Sequence, residues 1–251
     1  MTDLLRLEGA GKQYPSGSGV GLMTRLLRRK NTRHWALAPL DLVVTRGKSI
    51  AILGRNGSGK STLLGIAAGT ITATSGRVER LTDPTLLFQI GTSFDEELSG
   101  AENARLELLM RGLSGRLLGD RLEVAREFSG IGDAWDEPYR IYSSGMRARV
   151  AMAAALADPG PLLLIDEILA VGDVAFVAAC IEHFRSLRRK GTSLLFVTHD
   201  VNLATALGDE GIVLDGGLQV TSGPLDECLN VYRSMIGVEP PPTIAGTVLN
   251  G

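Results

Sequence analysis

Only two cysteines occur in the 251 residues, Cys180 and Cys228, and they lie far apart without metal-ligand spacing. That scarcity excludes a disulfide framework and points to two core thiols in a reducing compartment. The chain also has no apolar run near the roughly 20 residues that a membrane span requires. Its start, Met1-Thr2-Asp3, has neither the basic opening nor the apolar centre of a signal peptide, so neither secretion nor membrane insertion is expected. No sign of charge is in excess: 26 basic and 28 acidic residues leave a formal net charge of −2. A general attraction to nucleic acid or acidic lipid is therefore excluded, and any such contact must be local. No internal repeat is evident, and the length suits one sizeable α/β domain, alone or with a lobe.

What is present is a glycine loop in a specific setting. Gly54-Arg55-Asn56-Gly57-Ser58-Gly59-Lys60-Ser61-Thr62 follows the apolar run Ser49-Ile50-Ala51-Ile52-Leu53 and precedes Leu63-Leu64-Gly65-Ile66-Ala67-Ala68. Strand, glycine loop and helix in that order form the P-loop pattern. The glycines let successive backbone N–H groups turn inward around phosphate oxygens, where a Cβ would cost steric energy. Lys60 offers a point charge to the outer phosphates, the Ser61 hydroxyl suits Mg²⁺, and the helix start presents its positive end to the anion.

Along the chain, residues 4–8 and 40–44 read as strands. Between them lies an insert that opens with Tyr14-Pro15-Ser16-Gly17-Ser18-Gly19 and continues through residues 22–30, where leucines and arginines can share an amphipathic helix. Its basic cluster, Arg25, Arg28, Arg29, Lys30 and Arg33, is either a solvated face or a phosphate, membrane-surface or partner contact. Residues 76–79 and 85–88 read as strands ending at Gln89. Helical patterning over 104–110 and 117–128 then reads as a lobe, about 90–140, inserted into an α/β core. Residues 148–157 form a small apolar helix broken by Pro159-Gly160-Pro161. The buried strand Leu162-Leu163-Leu164-Ile165 ends in Asp166-Glu167, a helix spans 174–189, and strand 193–197 closes on Thr198-His199-Asp200. A hairpin turns at Gly216-Gly217, a last helix covers 225–235, and residues 237–251 have the composition of a linker. Strands alternating with helices imply a mainly parallel sheet with its chemistry at the carboxyl ends.

The candidate chemistry lies at those ends. Asp166 suits a metal anchor, and Glu167 beside it can polarise a water for in-line attack on a γ-phosphate. His199 can hydrogen-bond that phosphate or orient the water, and Gln89 can bond a metal-bound water. Tyr142-Ser143-Ser144-Gly145-Met146-Arg147 puts a serine and a glycine ahead of a helix, a second anion site. One chain cannot easily wrap both anion sites around one triphosphate, whereas two chains head to tail can.

These residues, over nearly all of positions 4–235, resemble the nucleotide-binding subunits of ABC transporters. Residues 54–62 match Walker A, Gln89 the Q-loop, Tyr142 to Met146 the signature motif, and Leu162 to Glu167 Walker B with its catalytic glutamate. Ala170-Val171-Gly172-Asp173 matches the D-loop and His199 the switch histidine, and Tyr14 stands where the family carries an aromatic that stacks on adenine. The resemblance implies a P-loop NTPase core with an antiparallel β subdomain and a helical lobe, in one domain over 1–236. It implies ATP and Mg²⁺ as cofactors, the metal bound by Ser61, Gln89 and Asp166. It also implies Ser143, Ser144 and Gly145 acting on the nucleotide of a second copy, and a peripheral position at the cytoplasmic face of the membrane beside a transmembrane permease dimer, with no role for nucleic acid. The signature Tyr142-Ser143-Ser144-Gly145-Met146 and Ile168 after Glu167 depart from the common pattern. With Ala170-Val171-Gly172-Asp173, the insert and residues 94–103, they are similar to the branch exporting O-antigen, capsule, teichoic acid or related lipid-linked glycans. An ATPase for lipid or drug transport, or a soluble non-transport ABC ATPase, are the alternatives.

Overall fold

A computed structural model describes residues 2–15, 33–87, 91–166 and 174–237. The basic insert over 16–32, the strand end with Gln89, Glu167, the D-loop segment with Asp173 and the tail beyond Gly237 lie outside the described residues.

Two sheets organise the described residues. The first is antiparallel, in the order β2-β1-β4, from β1 Asp3–Pro15, β2 Arg33–Thr45 and β4 Ser75–Arg80. The second has the order β5-β6-β7-β3-β8-β9, from β3 Ser49–Gly54, β5 Thr85–Leu86, β6 Leu162–Asp166, β7 Ser193–Val197, β8 Glu210–Asp215 and β9 Leu218–Pro224. Its strands are parallel except β9, which returns antiparallel to β8 through the turn at Gly216 and Gly217. This is the P-loop NTPase arrangement of a mainly parallel sheet beside an antiparallel one.

β1 and β2 run well past residues 4–8 and 40–44. Register shifts between Leu7 and Ala10, and again at Lys12, interrupt the two-residue alternation. An extra residue flips the inward-facing set, so the pattern fades from sequence although pairing continues.

Among the described residues there are seven α-helices: α1 Lys60–Ala68, α2 Gly100–Met110, α3 Gly115–Ser129, α4 Ser144–Ala157, α5 Val174–Arg189, α6 Val201–Leu207 and α7 Leu225–Ile236. α6 carries too few residues for a readable period. It starts at Asp200, whose carboxylate accepts from Asn202 N at 2.7 Å. α2 begins with a complete capping box, Ser99 Oγ accepting from Glu102 N and Glu102 accepting from Ser99 N. The Ser99 N–H and, at 3.0 Å, the Ser99 hydroxyl both donate to the Glu102 carboxylate and hold it below its usual range.

Strand alternation sends Ile50, Ile52, Leu164, Leu195 and Leu214 to one face of the large sheet, where α1 and the first sheet cover them. Ala51, Leu53, Leu163, Phe196 and Val213 point to the other face, under α5 and α7. Both cysteines are buried there, and burial pushes the Cys180 thiol up to about 12. A third cluster joins α2, α3 and α4 around Trp135, Tyr139 and Tyr142.

Candidate functional site at the carboxyl edge of the parallel sheet

β3 is buried along its whole length and delivers the chain to Gly54 between β7 and β8. There the backbone turns through φ of 154° at Gly54, 77° at Gly57 and 103° at Gly59. A Cβ on Gly54 would sit 2.4 Å from both Leu214 O and Ser58 Oγ, and one on Gly59 2.6 Å from Ala36 O. Sterics and dihedral therefore both require glycine at these positions. At Gly57 nothing lies within 4 Å, so the requirement is the positive φ alone and the space beside it stays open.

The loop is stitched to distant segments. Gly217 N donates to Ser58 O at 3.1 Å, and Ala38 N donates to Gly217 O at 2.7 Å. Arg55 donates to Met235 O, tying the loop to the last turn of α7. Lys60 is 7% exposed, and its ammonium donates to Gly54 O at 2.9 Å and Arg55 O at 3.0 Å. Those two carbonyls offset the desolvation of a buried cation and hold it beside the loop.

His34, Ala36, Gly57, Gly59, Lys60, Ser61 and Thr62 line a cleft of about 220 Å³ over this loop. Its residues suit a phosphate chain. α1 opens with no acidic residue in its first turn and no side chain capping its N–H groups, and Ser58 Oγ is buried without a hydrogen-bond partner. Exposed helix N–H donors, a buried ammonium and hydroxyls form an anion cradle. For Mg²⁺, Ser61 and Asp166 offer the hard oxygen donors it takes, in a set small enough to leave positions for phosphate oxygens and water. Among the described residues no group of three or more His, Cys, Asp or Glu side chains could hold a metal ion.

Asp166 closes β6 and Val197 closes β7, and the two are register partners. On its other side Val197 pairs with Ile52, two residues before Gly54. Asp166, the P-loop and the exposed His199 just past β7 thus come together at neighbouring strand ends. Thr198 is buried between them, and its N–H donates to Ile52 O at 3.3 Å.

Tyr14 is 44% exposed, is absent from the cleft lining, and has Lys12 Nζ at 5.2 Å from its ring centroid. Its ladder partner His34 lines the cleft instead. Sequence reading did not single out His34, because its place depends on register with a strand beyond the insert.

Ser143 caps α4, its hydroxyl accepting from Met146 N at 3.2 Å. Ser143 and Ser144 are exposed, and a Cβ on Gly145 would meet only Ser143 Oγ at 3.9 Å. None of Tyr142 to Met146 lines the cleft over the P-loop. Within one chain the two helix starts remain separate.

Residues 37–170 match the ABC transporter family model. The chain is 32% identical over 242 residues to the O-antigen export system ATP-binding protein RfbB of Klebsiella pneumoniae, covering 93% of this chain and 98% of that one. It is 32% identical over 208 residues to the teichoic acids export ATP-binding protein TagH of Listeria monocytogenes serotype 4b, strain F2365, covering 83% and 62%. Among solved structures, a dimeric post-hydrolysis state of the ATP-binding cassette MJ0796 bound to ADP and phosphate superposes with a TM-score of 0.71 at 24% identity, over 88% of this chain and 98% of that one. Family match, relatives and P-loop geometry agree: this chain is an ATPase that belongs to the ABC transporter family.

Proposed function

We propose that the chain is the ATP-hydrolysing subunit of a transporter that exports a polysaccharide or lipid-linked glycan. Relatives named for O-antigen export and for teichoic acid export support that substrate class. No described helix is long and apolar enough to cross a membrane; relatives named as the ATP-binding proteins of export systems support a separate transmembrane permease as the route for the glycan. The ATPase would sit peripherally against that permease at the cytoplasmic face.

The observation that carries the mechanism is the separation of the two anion sites. The P-loop cleft is open and lacks the signature residues, while Ser143 and Ser144 stand exposed, with half-buried Gly145 beside them, at the start of another helix. A second copy supplies the missing wall, the P-loop of each chain facing Ser143, Ser144 and Gly145 of the other. Gly54, Arg55, Asn56, Gly57, Ser58 and Gly59 wrap the phosphates with backbone N–H groups, and Thr62 continues the helix that points at them. Lys60 shifts its ammonium from loop carbonyls toward the outer phosphate and stabilises the charge that develops there. Glu167 orients the attacking water and accepts its proton, while His199 hydrogen-bonds the γ-phosphate. Ser61, Asp166 and Gln89 would hold Mg²⁺, which would offset phosphate charge when bound. Closure favoured by ATP and released by hydrolysis then drives the permease.

The test is a pair of measurements on the purified full chain. Glu167→Gln should keep ATP binding, accumulate as a dimer with ATP, and lose hydrolysis by ~10²-fold or more. Unchanged hydrolysis would sink the role of Glu167. Mixing Ser143→Arg with Lys60→Ala, each inactive alone, should restore partial activity, because one intact composite site forms in the mixed dimer. No recovery in that mixture would argue against a shared site. Export itself is read by whether glycan reaches the cell surface when Lys60→Ala replaces the native chain.

A further inference from the structure

The signature serine has an unusual neighbour. Arg147 lies in the first turn of α4, where the helix dipole disfavours a cation and where α4 has no acidic residue to compensate. Contacts elsewhere must hold it there, and four of them converge on its guanidinium. Nη1 donates to Glu96 Oε1 at 2.8 Å, Nη2 to Arg140 O at 3.2 Å and Nε to Tyr142 O at 3.3 Å. The group also sits 4.9 Å from the Tyr139 ring centroid. Two of the acceptors are backbone carbonyls of the loop that delivers Ser143 to the helix. The third belongs to the segment that follows Gln89 in sequence.

That segment and the entry loop are joined along their backbones as well. Tyr139 N donates to Leu98 O at 2.8 Å, Arg140 N donates to Glu96 O at 3.0 Å, and Ser99 pairs with Pro138 in an isolated antiparallel bridge. Arg140 and Glu97 form a further ion pair across the same seam. Asn103 holds the other end of the segment, accepting from Asp95 N at 2.7 Å and donating to Asp95 O at 2.9 Å.

We propose that Arg147 is a positioning residue for the signature motif: with Glu96 and Tyr139 it clasps the loop before α4 to the segment after Gln89, and so fixes where Ser143 and Gly145 meet the nucleotide of the partner copy. An exposed ion pair alone would do little, since Glu96 and Arg147 are 62% and 33% exposed in their side chains. The fork reaching two carbonyls is what locks the loop, and a lysine cannot reproduce it. The clasp also gives movement at the segment after the Q-loop a direct mechanical route to the signature serine. The inference rests on Ser143 acting in trans, as proposed above.

The trans action supplies the test. Arg147→Ala should bind ATP within about 2-fold of the unaltered chain, because its own P-loop is intact, while turnover falls ~10- to 100-fold from misplacement of Ser143. Mixing Arg147→Ala with Lys60→Ala should restore activity well above either variant alone, since the mixed dimer pairs an intact Lys60 with an intact signature motif. Arg147→Lys should recover only part of the turnover. Glu96→Gln, which leaves the carbonyl contacts available, should lower turnover by a smaller factor with unchanged ATP affinity and should serve if Arg147→Ala folds poorly. Failure of the Arg147→Ala mixture where the Ser143→Arg mixture recovers overturns the clasp alone. Failure of both mixtures overturns the shared site and the clasp with it. A loss of ATP affinity matching the loss of turnover, or full turnover in both Arg147→Lys and Glu96→Gln, also overturns it.

Discussion

Gly54 and Gly57 show how differently two glycines of one motif are constrained. The Gly54 site has a carbonyl and a hydroxyl 2.4 Å from where a Cβ would stand, whereas the Gly57 site has open space. Gly54→Ala should therefore unseat the loop, lowering thermal stability and abolishing ATP binding together. Gly57→Ala should weaken ATP binding with little change in melting temperature, because only the positive φ and the phosphate's space are lost. His34 belongs to the same scale. If it packs on the base, His34→Ala costs about 1 kcal/mol or more, roughly a 5-fold loss in ATP affinity. Affinity for tripolyphosphate, which has no base, should not change, and competition titrations of a fluorescent ATP analogue measure both. Tyr14→Ala is expected to leave both affinities near those of the unaltered chain. The P-loop was legible because its chemistry and its spacing are both local in sequence. His34 was not, since strand register across an insert decides what it faces, and Arg147 was not, since Glu96 is remote in the chain.

Among the elements, α1 carries the clearest liability. It presents its first turn to the cleft and has no basic residue in its last turn. Arg80, at the end of β4, supplies the missing charge from outside, donating to Ala67 O at 2.9 Å and Ile66 O at 2.6 Å. Arg80→Ala should lower unfolding free energy by about 1 kcal/mol, read by urea denaturation, because two helix-end carbonyls lose a charged donor. Strands β6 and β7 and helix α5 were readable from apolar runs and period alone. The outer halves of β1 and β2 were not, because bulges break alternation where pairing persists. Capping residues outside the apolar pattern started α2 and α4 earlier than their hydrophobic positions suggest.

At the scale of the molecule, α5 is the joint between the large sheet and the helices around the signature motif. His183 sits in that joint, its ring 4.8 Å from that of Phe128 and Nε2 3.4 Å from Leu156 O. Burial lowers its pKa from the ordinary value of 6.5. A depressed histidine favours the fold above the unfolded value, and that contribution is lost as pH falls through 6.5 and the folded value below it. Stability should therefore decline as pH drops below that range, and His183→Gln should flatten the decline in a series of thermal melts between about pH 7.5 and 5.5.

The stitching of the phosphate loop has a consequence for biosynthesis. The loop is encoded early, yet Gly217 from the hairpin and Met235 from α7 both hold it in place. A nascent chain thus carries every residue of Walker A long before it owns a finished nucleotide pocket. Until Gly217 and Met235 have been made and folded, the loop lacks both of those holds.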